Sequence, residues 1–325
     1  MYLENPKFWN ESSPNFLIKL LLSPLSRVYS KISKMNYKRP YEYVSENAKV
    51  VAVGAVTMGG SGKTVVTSAI CDILNMAKKK NAVLSRGYGR KNDEILLVNP
   101  DIHTFEEVGD EPLLLARKSP VIVGKNRGEA MHFANHHFNE NFDFFILDDG
   151  IMQKSLQPNI RLVVIDSRQK FGNGEVFPLG PNRIYFEDIK DDIDAVIYLR
   201  NEGDTSMASE IDFNPIITGV IKQDYSKIDL NQKFFAFCGI GYPKKFFDSL
   251  KNLDVVKTKA YPDHYPYTLN AIYRLENEAQ NLGAQLITTE KDLMRIPATL
   301  RRFITTVPVK IVWDNEEEIK KILWR

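Results

Sequence analysis

Apolar residues in this chain come in short runs broken by glycine, proline and charge, and the runs switch between strand and helix periods. Val50 to Val56 is an unbroken run of β-branched and small apolar residues, the pattern of a strand buried on both faces. Val65, Val66, Ala69, Ile70, Ile73 and Leu74 then recur at helical spacing. Further strands are predicted over residues 81–86, 94–98, 120–123, 143–147, 161–166 and 195–199, and helices over 109–117 and 126–137. Strands alternating with helices predict an α/β fold with a mostly parallel sheet and helices on both faces. A second series begins near residue 223. It has a strand over 233–240, helices over 243–250 and 268–282, a strand over 285–289, an apolar segment at 308–313 and a charged C-terminal helix. The predicted organisation is an N-terminal segment (1–40), a core domain (41–222) and a smaller α/β domain (223–325).

Residues 15–39 differ from the rest. Phe16, Leu17, Ile18, Leu20, Leu21 and Leu22 precede Ser23-Pro24, and Leu25, Val28, Tyr29 and Ile32 continue one face. Ser23 as a cap with Pro24 at the first helical position predicts a kink or two short helices. Lys19, Arg27, Lys31, Lys34, Lys38 and Arg39 are basic, and no acid occurs between Glu11 and Glu42. A basic amphipathic helix suits the plane of an anionic membrane surface, and packing on the protein's own core is the alternative.

Composition changes little in this picture. The chain has 325 residues and a net charge of +2, which predicts no nucleic-acid partner. Cys71 and Cys238 both fall in apolar surroundings and read as small core residues of a reducing compartment, without a disulfide or zinc site. No apolar run reaches membrane-spanning length, and no signal peptide is expected. Neither internal repeats nor low-complexity tracts are present.

The chemistry concentrates where predicted strands end. Thr57-Met58-Gly59-Gly60-Ser61-Gly62-Lys63-Thr64 lies between the first strand and its helix. The glycines let backbone N–H groups face an anion, and the helix N-terminus adds its dipole. Lys63 can reach the β/γ-phosphates and the Thr64 hydroxyl can ligate Mg²⁺. The strict pattern would have glycine where Thr57 stands, but strand, glycine loop and helix together identify a P-loop, and with it a P-loop NTPase-type sheet. Asp148-Asp149, ending another buried strand, are candidates to hold the metal opposite Thr64. Arg86 and Arg90 sit in a glycine-punctuated loop suited to phosphate oxygens. Asp110 reads alone as a helix N-cap, and His264, in Pro262-Asp263-His264 within an aromatic loop, as a proton carrier or a structural histidine.

Together these stretches resemble the tetraacyldisaccharide 4′-kinase family, the lipid A pathway kinases of Gram-negative bacteria. The matching segments include 53–64, Ser85-Arg86-Gly87-Tyr88-Gly89-Arg90, Val108-Gly109-Asp110-Glu111-Pro112, Leu147-Asp148-Asp149-Gly150 and Phe177-Pro178-Leu179-Gly180-Pro181. Residues 236–243, Pro262-Asp263-His264 and Thr288-Thr289-Glu290-Lys291-Asp292 complete the set, in the family's order. The resemblance implies transfer of the ATP γ-phosphoryl group to the 4′-hydroxyl of a tetraacylated glucosamine disaccharide 1-phosphate, with ATP and Mg²⁺. It implies Asp110 and His264 as the pair that deprotonates the sugar hydroxyl, and Asp148 and Asp149 as the metal pair. Lys63 and Thr64 would serve the nucleotide, and Arg86, Arg90 and Arg183 would contact phosphates. The location implied is peripheral, on the cytoplasmic face of the inner membrane; no protein partner is implied. Two departures stand out. The family's Gln-His after Asp-Asp-Gly is replaced by Ile151-Met152-Gln153, and its Arg-Glu pair after Leu-Gly-Pro becomes Arg183-Ile184, with Glu187 the nearest acid. A P-loop GTPase or a nucleotide-binding membrane scaffold is the alternative, but no guanine-reading Asn/Thr-Lys-x-Asp motif is present.

Overall fold

The computed structural model describes residues 6–9, 15–226, 228–241 and 243–325. Tyr242 of the 236–243 segment, and residues 1–5 and 10–14 of the N-terminal segment, lie outside the described residues. Among the described residues, thirteen strands form two sheets. The larger holds β1 (Lys49–Gly54), β2 (Asn81–Ser85), β3 (Leu96–Leu97), β4 (Val121–Val123), β5 (Phe144–Asp148), β6 (Ile160–Asp166), β7 (Ala195–Asn201) and β8 (Ile216–Gln223). The smaller holds β9 (Lys233–Cys238), β10 (Asp254–Ala260), β11 (Gln285–Thr289) and β12 (Thr305–Val307). The last strand, β13 (Val309–Trp313), returns to the larger sheet, whose order is β13-β8-β7-β6-β1-β5-β2-β4-β3. Its inner strands are parallel, while β13 and β3 close the two edges in antiparallel pairs. The smaller sheet, β10-β9-β11-β12, is parallel throughout.

The sequence pattern explains the layers. Alternate residues of β1 serve opposite faces: Val51 and Val53 join one apolar core, Val50 and Ala52 the other. Helix α2 (Lys63–Met76) covers the first face with Val66, Ile70 and Leu74. On the opposite face α5 (Arg127–Phe138) contributes Ala130, Met131 and Ala134. The short helices α3 (Phe105–Val108) and α4 (Asp110–Leu115) precede β4. The smaller sheet carries α6 (Pro243–Ser249), α7 (Leu269–Asn281), α8 (Glu290–Met294) and α9 (Ala298–Arg301). The C-terminal α10 (Glu316–Trp324) packs Ile319, Ile322 and Leu323 into the core that α2 covers. Cys71 and Cys238 are buried free thiols, each pushed up to about 12 by burial.

The N-terminal segment departs from expectation. Residues Phe16–Tyr37 form one helix, α1, capped by the Asn15 side chain, with Pro24 inside it. Ser23 does not start a second helix. Its hydroxyl donates back to the Lys19 carbonyl at 2.5 Å, as a serine inside a helix does. Pro24 is on the exposed side, where the carbonyl it leaves unpaired can meet solvent. The opposite side of α1 is fastened to the core: Ser26 donates to the Val176 carbonyl (2.8 Å) and Ser33 to the Arg183 carbonyl (2.6 Å).

Candidate active site

The carboxyl ends of β1, β2 and β5 open onto one cleft, as the sheet order requires. Between β1 and α2 the chain makes two left-handed excursions, at Gly59 (φ 107°) and at Gly62 (φ 88°), the residue that caps α2. A neighbouring segment holds this loop in shape. The Met58 N–H donates to the Pro181 carbonyl (2.8 Å), the Gln169 side chain to the Met58 carbonyl (3.1 Å) and the Arg183 N–H to the Val56 carbonyl (2.7 Å). The Leu179-Gly180-Pro181 stretch is thus part of the wall of the loop. The Ser61 hydroxyl is buried without a hydrogen-bond partner among the described residues, and a Cβ at Gly60 would meet nothing within 4 Å. An open backbone cradle with an orphaned donor at a helix start fits a phosphate chain.

Pairing of Val53 with Asp148 brings the β5 carboxylates beside this cradle. Asp148 is buried; Thr67 and Ser85 hydroxyls donate to its two oxygens at 3.3 and 3.4 Å. Burial, then the charges of Glu111 and Asp149, push its carboxyl up to about 7. Asp149, in the left-handed region (φ 42°), behaves oppositely. Burial raises its carboxyl, but Lys63 (4.0 Å) and Arg183 (2.6 Å) outweigh that and hold it below the usual value. Behind the pair lies Arg127, a buried guanidinium that burial lowers to about 10 and that donates to the Lys125 carbonyl at 2.9 Å. No cluster of three or more His, Cys, Asp or Glu side chains among the described residues could hold a metal. A carboxylate pair beside a phosphate cradle is nonetheless the donor set Mg²⁺ uses, since phosphate oxygens and water complete its shell.

Across the cleft, Asp110 is the first residue of α4, with Gly109 rather than Asp110 as the cap. It is 5% exposed, and its Oδ1 accepts the Glu111 N–H at 2.9 Å. Three side chains of the smaller unit face Oδ2: His264 Nδ1 at 3.2 Å, Arg295 Nε at 3.0 Å and Lys291 Nζ at 4.0 Å. Burial raises the Asp110 carboxyl, but the hydrogen bond from His264 and the charges of Lys291 and Arg295 hold it well below the usual carboxylate range. Lys291 also donates to Glu111 at 3.0 Å. His264 has φ 56°, and its ring lies 6.2 Å from that of exposed Tyr88.

The structure therefore places Lys63, Asp148, Asp149 and Arg183 in one group and Asp110 with His264 in another, facing Asp148 through Glu111. Thr64 lies in the first turn of α2, and Arg86 is exposed at the end of β2. Arg90 turns back on its own loop and donates to the Glu94 carbonyl at 2.6 Å. Ile184 is buried in the apolar core, and Glu187 is exposed and paired with Lys190 at 2.6 Å. Gln153 is occupied with the Leu156 backbone and with Ser155. Sequence reasoning missed Thr67, Arg127 and Arg295 as site neighbours. Ser85, Glu111 and Lys291 stood in recognised motifs without a role.

The family described as LpxK, tetraacyldisaccharide-1-P 4′-kinase, matches residues 18–325. A tetraacyldisaccharide 4′-kinase of Rhodopseudomonas palustris (strain HaA2) is 34% identical over 99% of this chain and 96% of its own length. One from Rhodospirillum rubrum is 35% identical over 95% of this chain and 94% of its own. Among solved structures, LpxK from Aquifex aeolicus in complex with ATP superposes with a TM-score of 0.73 at 24% identity, covering 95% of this chain and 99% of that one, a likeness of fold.

Proposed function

The chain belongs to the tetraacyldisaccharide-1-phosphate 4′-kinase family, and from that premise we propose how its residues carry out the reaction. The activity is phosphoryl transfer from ATP to the 4′-hydroxyl of a tetraacylated glucosamine disaccharide 1-phosphate, a step of lipid A biosynthesis. Family membership sets aside the GTPase and scaffold readings.

ATP lies with its phosphates on the 57–64 loop, against the Ser61 hydroxyl and Lys63 ammonium, while the Met58 and Ser61 amides stay bonded to the Pro181 and Gly59 carbonyls. Thr64, Asp148 and Asp149 would hold Mg²⁺, which would neutralise charge on the phosphates. The displaced equilibrium of Asp148 supports this: a buried carboxylate pushed up to about 7 lacks a full counter-charge of its own. Arg183 is held at Asp149 and stays close to the transferring group, and Arg86 is free to reach a phosphate of either substrate. Arg90 stays in the proposal as a support for the 86–90 loop through the Glu94 carbonyl, with its buried Nη2 left without a hydrogen-bond partner among the described residues.

The Asp110–His264 pair takes the 4′-hydroxyl proton. His264 is the more exposed member (29% against 6% for the side chains), so the imidazole meets the hydroxyl and anionic Asp110 stabilises the charge that results. A loose transition state asks for little basicity, which suits a pair whose carboxylate is held ionised. The observation that carries the proposal is this pair itself: the first residue of α4 and a turn residue of the smaller unit, brought to 3.2 Å across the cleft from a phosphate cradle.

The division into a P-loop core (41–222) and a smaller C-terminal unit belongs to the same proposal, with the crossings where β8 leaves the large sheet and β13 rejoins it. So does the location. Among the described residues no helix is long and apolar enough to cross a membrane. Helix α1, with exposed Leu17, Leu21, Val28, Ile32 and Met35 flanked by lysines and arginines, would lie on the anionic cytoplasmic surface of the inner membrane, where the lipid substrate resides.

The test is a transfer assay with ATP and the lipid disaccharide, run beside GTP and beside Lys63→Ala. ATP-dependent product, roughly 10²-fold or more slower in the variant, is expected. No product with ATP refutes the proposal.

A further inference from the structure

We infer that Arg295 is the positioning residue of the Asp110–His264 pair, holding both members at once from behind; the inference rests on the role proposed for that pair. Lys291 and Arg295 are four residues apart around α8, so both side chains leave the same side, toward α4. The Arg295 side chain is fully buried. Its Nε lies 3.0 Å from Asp110 Oδ2, and its Nη1 donates to the Gly239 carbonyl at 2.6 Å. That same carbonyl accepts the backbone N–H of His264 at 3.1 Å. One guanidinium thus sets its charge against the carboxylate on the core, an ion pair without an aligned hydrogen bond, while it hydrogen-bonds the carbonyl that closes the turn carrying the imidazole.

The surroundings keep Arg295 in place independently of Asp110. Asp292 is fully buried; its Oδ1 accepts the Gly239 N–H (2.8 Å) and the Tyr267 hydroxyl (2.9 Å) and lies 3.4 Å from Arg295 Nη1. Its Oδ2 accepts the Thr289 hydroxyl at 2.6 Å. Position 239 must be glycine for the histidine turn to close on it, because a Cβ there would lie 2.9 Å from the Pro262 carbonyl oxygen and 3.1 Å from Tyr265 Cβ. A guanidinium can donate to a carbonyl through one nitrogen and set its delocalised charge beside a carboxylate with another, which a single ammonium does less well. Of the other groups facing Asp110, Lys291 is shared with Glu111 and His264 is the partner to be aligned. Among the described residues, Arg295 is therefore the one full positive charge in close contact with Asp110 that no acid of the larger unit competes for.

The experiment compares Arg295→Met, Arg295→Gln and Arg295→Lys with wild type, each checked for folding by thermal unfolding. It also includes Asp110→Ala alone and combined with Arg295→Met. The neutral variants are expected to lose roughly 10²-fold in kcat while KM for ATP moves less than about threefold. The acid limb of the kcat profile should move to higher pH, because Asp110 loses its nearest cation. Arg295→Lys should recover the acid limb and part of the rate. In the Asp110→Ala background, Arg295→Met should cost little more, because no carboxylate is left to position. If the Met variant does not fold, Gln, which can still donate to Gly239, carries the test. A folded neutral variant within a few-fold of wild type overturns the inference. So does an undiminished loss in the Asp110→Ala background, or a Lys variant no better than Met. A wild-type protein without any transfer refutes the pair's proposed role instead, which is a different result from an active enzyme indifferent to Arg295.

Discussion

Gly62 caps α2 with φ 88°, and a Cβ there would sit 2.7 Å from Leu199 Cδ1. Strain and a clash act together, so Gly62→Ala is expected to cost about 1 kcal/mol or more of stability and to abolish the calorimetric signal of nucleotide binding. Gly60→Ala has open space around its Cβ and is the control that should fold like wild type. Asp110 makes a second residue-level prediction, through acid stability. Its folded carboxyl is held below the ordinary value, so its contribution is fully present above the unfolded pKa of about 4 and is lost as pH falls through the folded value. Denaturant unfolding of wild type and Asp110→Asn should differ most near neutral pH. The gap should narrow as pH drops from about 4 toward about 2; a gap that widens on acidification contradicts the assignment.

Among the elements, those with local signals were readable and those decided by contact were not. The strand, glycine turn and helix of 49–76 announce themselves within a short window, so Lys63, Thr64 and the loop glycines could be named from sequence. The Asp148-Asp149 pair followed from a buried run that ends in acid. Asp110 beside His264 came from resemblance alone, since no periodicity links the first residue of a helix in one unit to a turn in another. Arg295 stayed invisible because its role depends on α8 packing against α4. The strand over 309–313 was visible as an apolar segment, but its pairing with β8 was not, since pairing partners far apart in sequence leave no local trace. At Ser23-Pro24 the cap signature was overruled by the continuous helix: Ser26 and Ser33 fasten it to the core just after the proline, and the Ser23 hydroxyl bonds back into the turn before it. Pro24 then sits in a helix interior, where it removes a bond at a cost of up to about 3 kcal/mol. Pro24→Ala is expected to slow amide exchange across the middle of α1 without changing kcat. Faster exchange there would mean that the proline is needed for the path of the helix.

At the scale of the molecule, helix α1 and the proposed catalytic groups are joined by hydrogen bonds. Ser33 on α1 donates to the carbonyl of Arg183, whose guanidinium holds Asp149, while the same segment braces the 57–64 loop through Pro181. Deleting α1 would therefore disturb the site as well as the proposed membrane contact, and a truncation could not separate the two. Substitutions on the outer stripe can. Leu21, Val28 and Ile32 are more than half exposed and make no part of the buried core. Replacing them with glutamate removes apolar area and adds negative charge to a face that would otherwise meet anionic headgroups. Each buried apolar side chain contributes roughly 1.5–3 kcal/mol to such contact, so a triple substitution should abolish flotation with anionic vesicles. Because the stripe points away from Ser26 and Ser33, the same protein should keep wild-type kcat on substrate dispersed in detergent and lose turnover only when the lipid is presented in vesicles. Undiminished flotation would remove α1 from the membrane contact. Lost turnover in detergent as well would show that the stripe supports the fold of the site rather than its place on a surface.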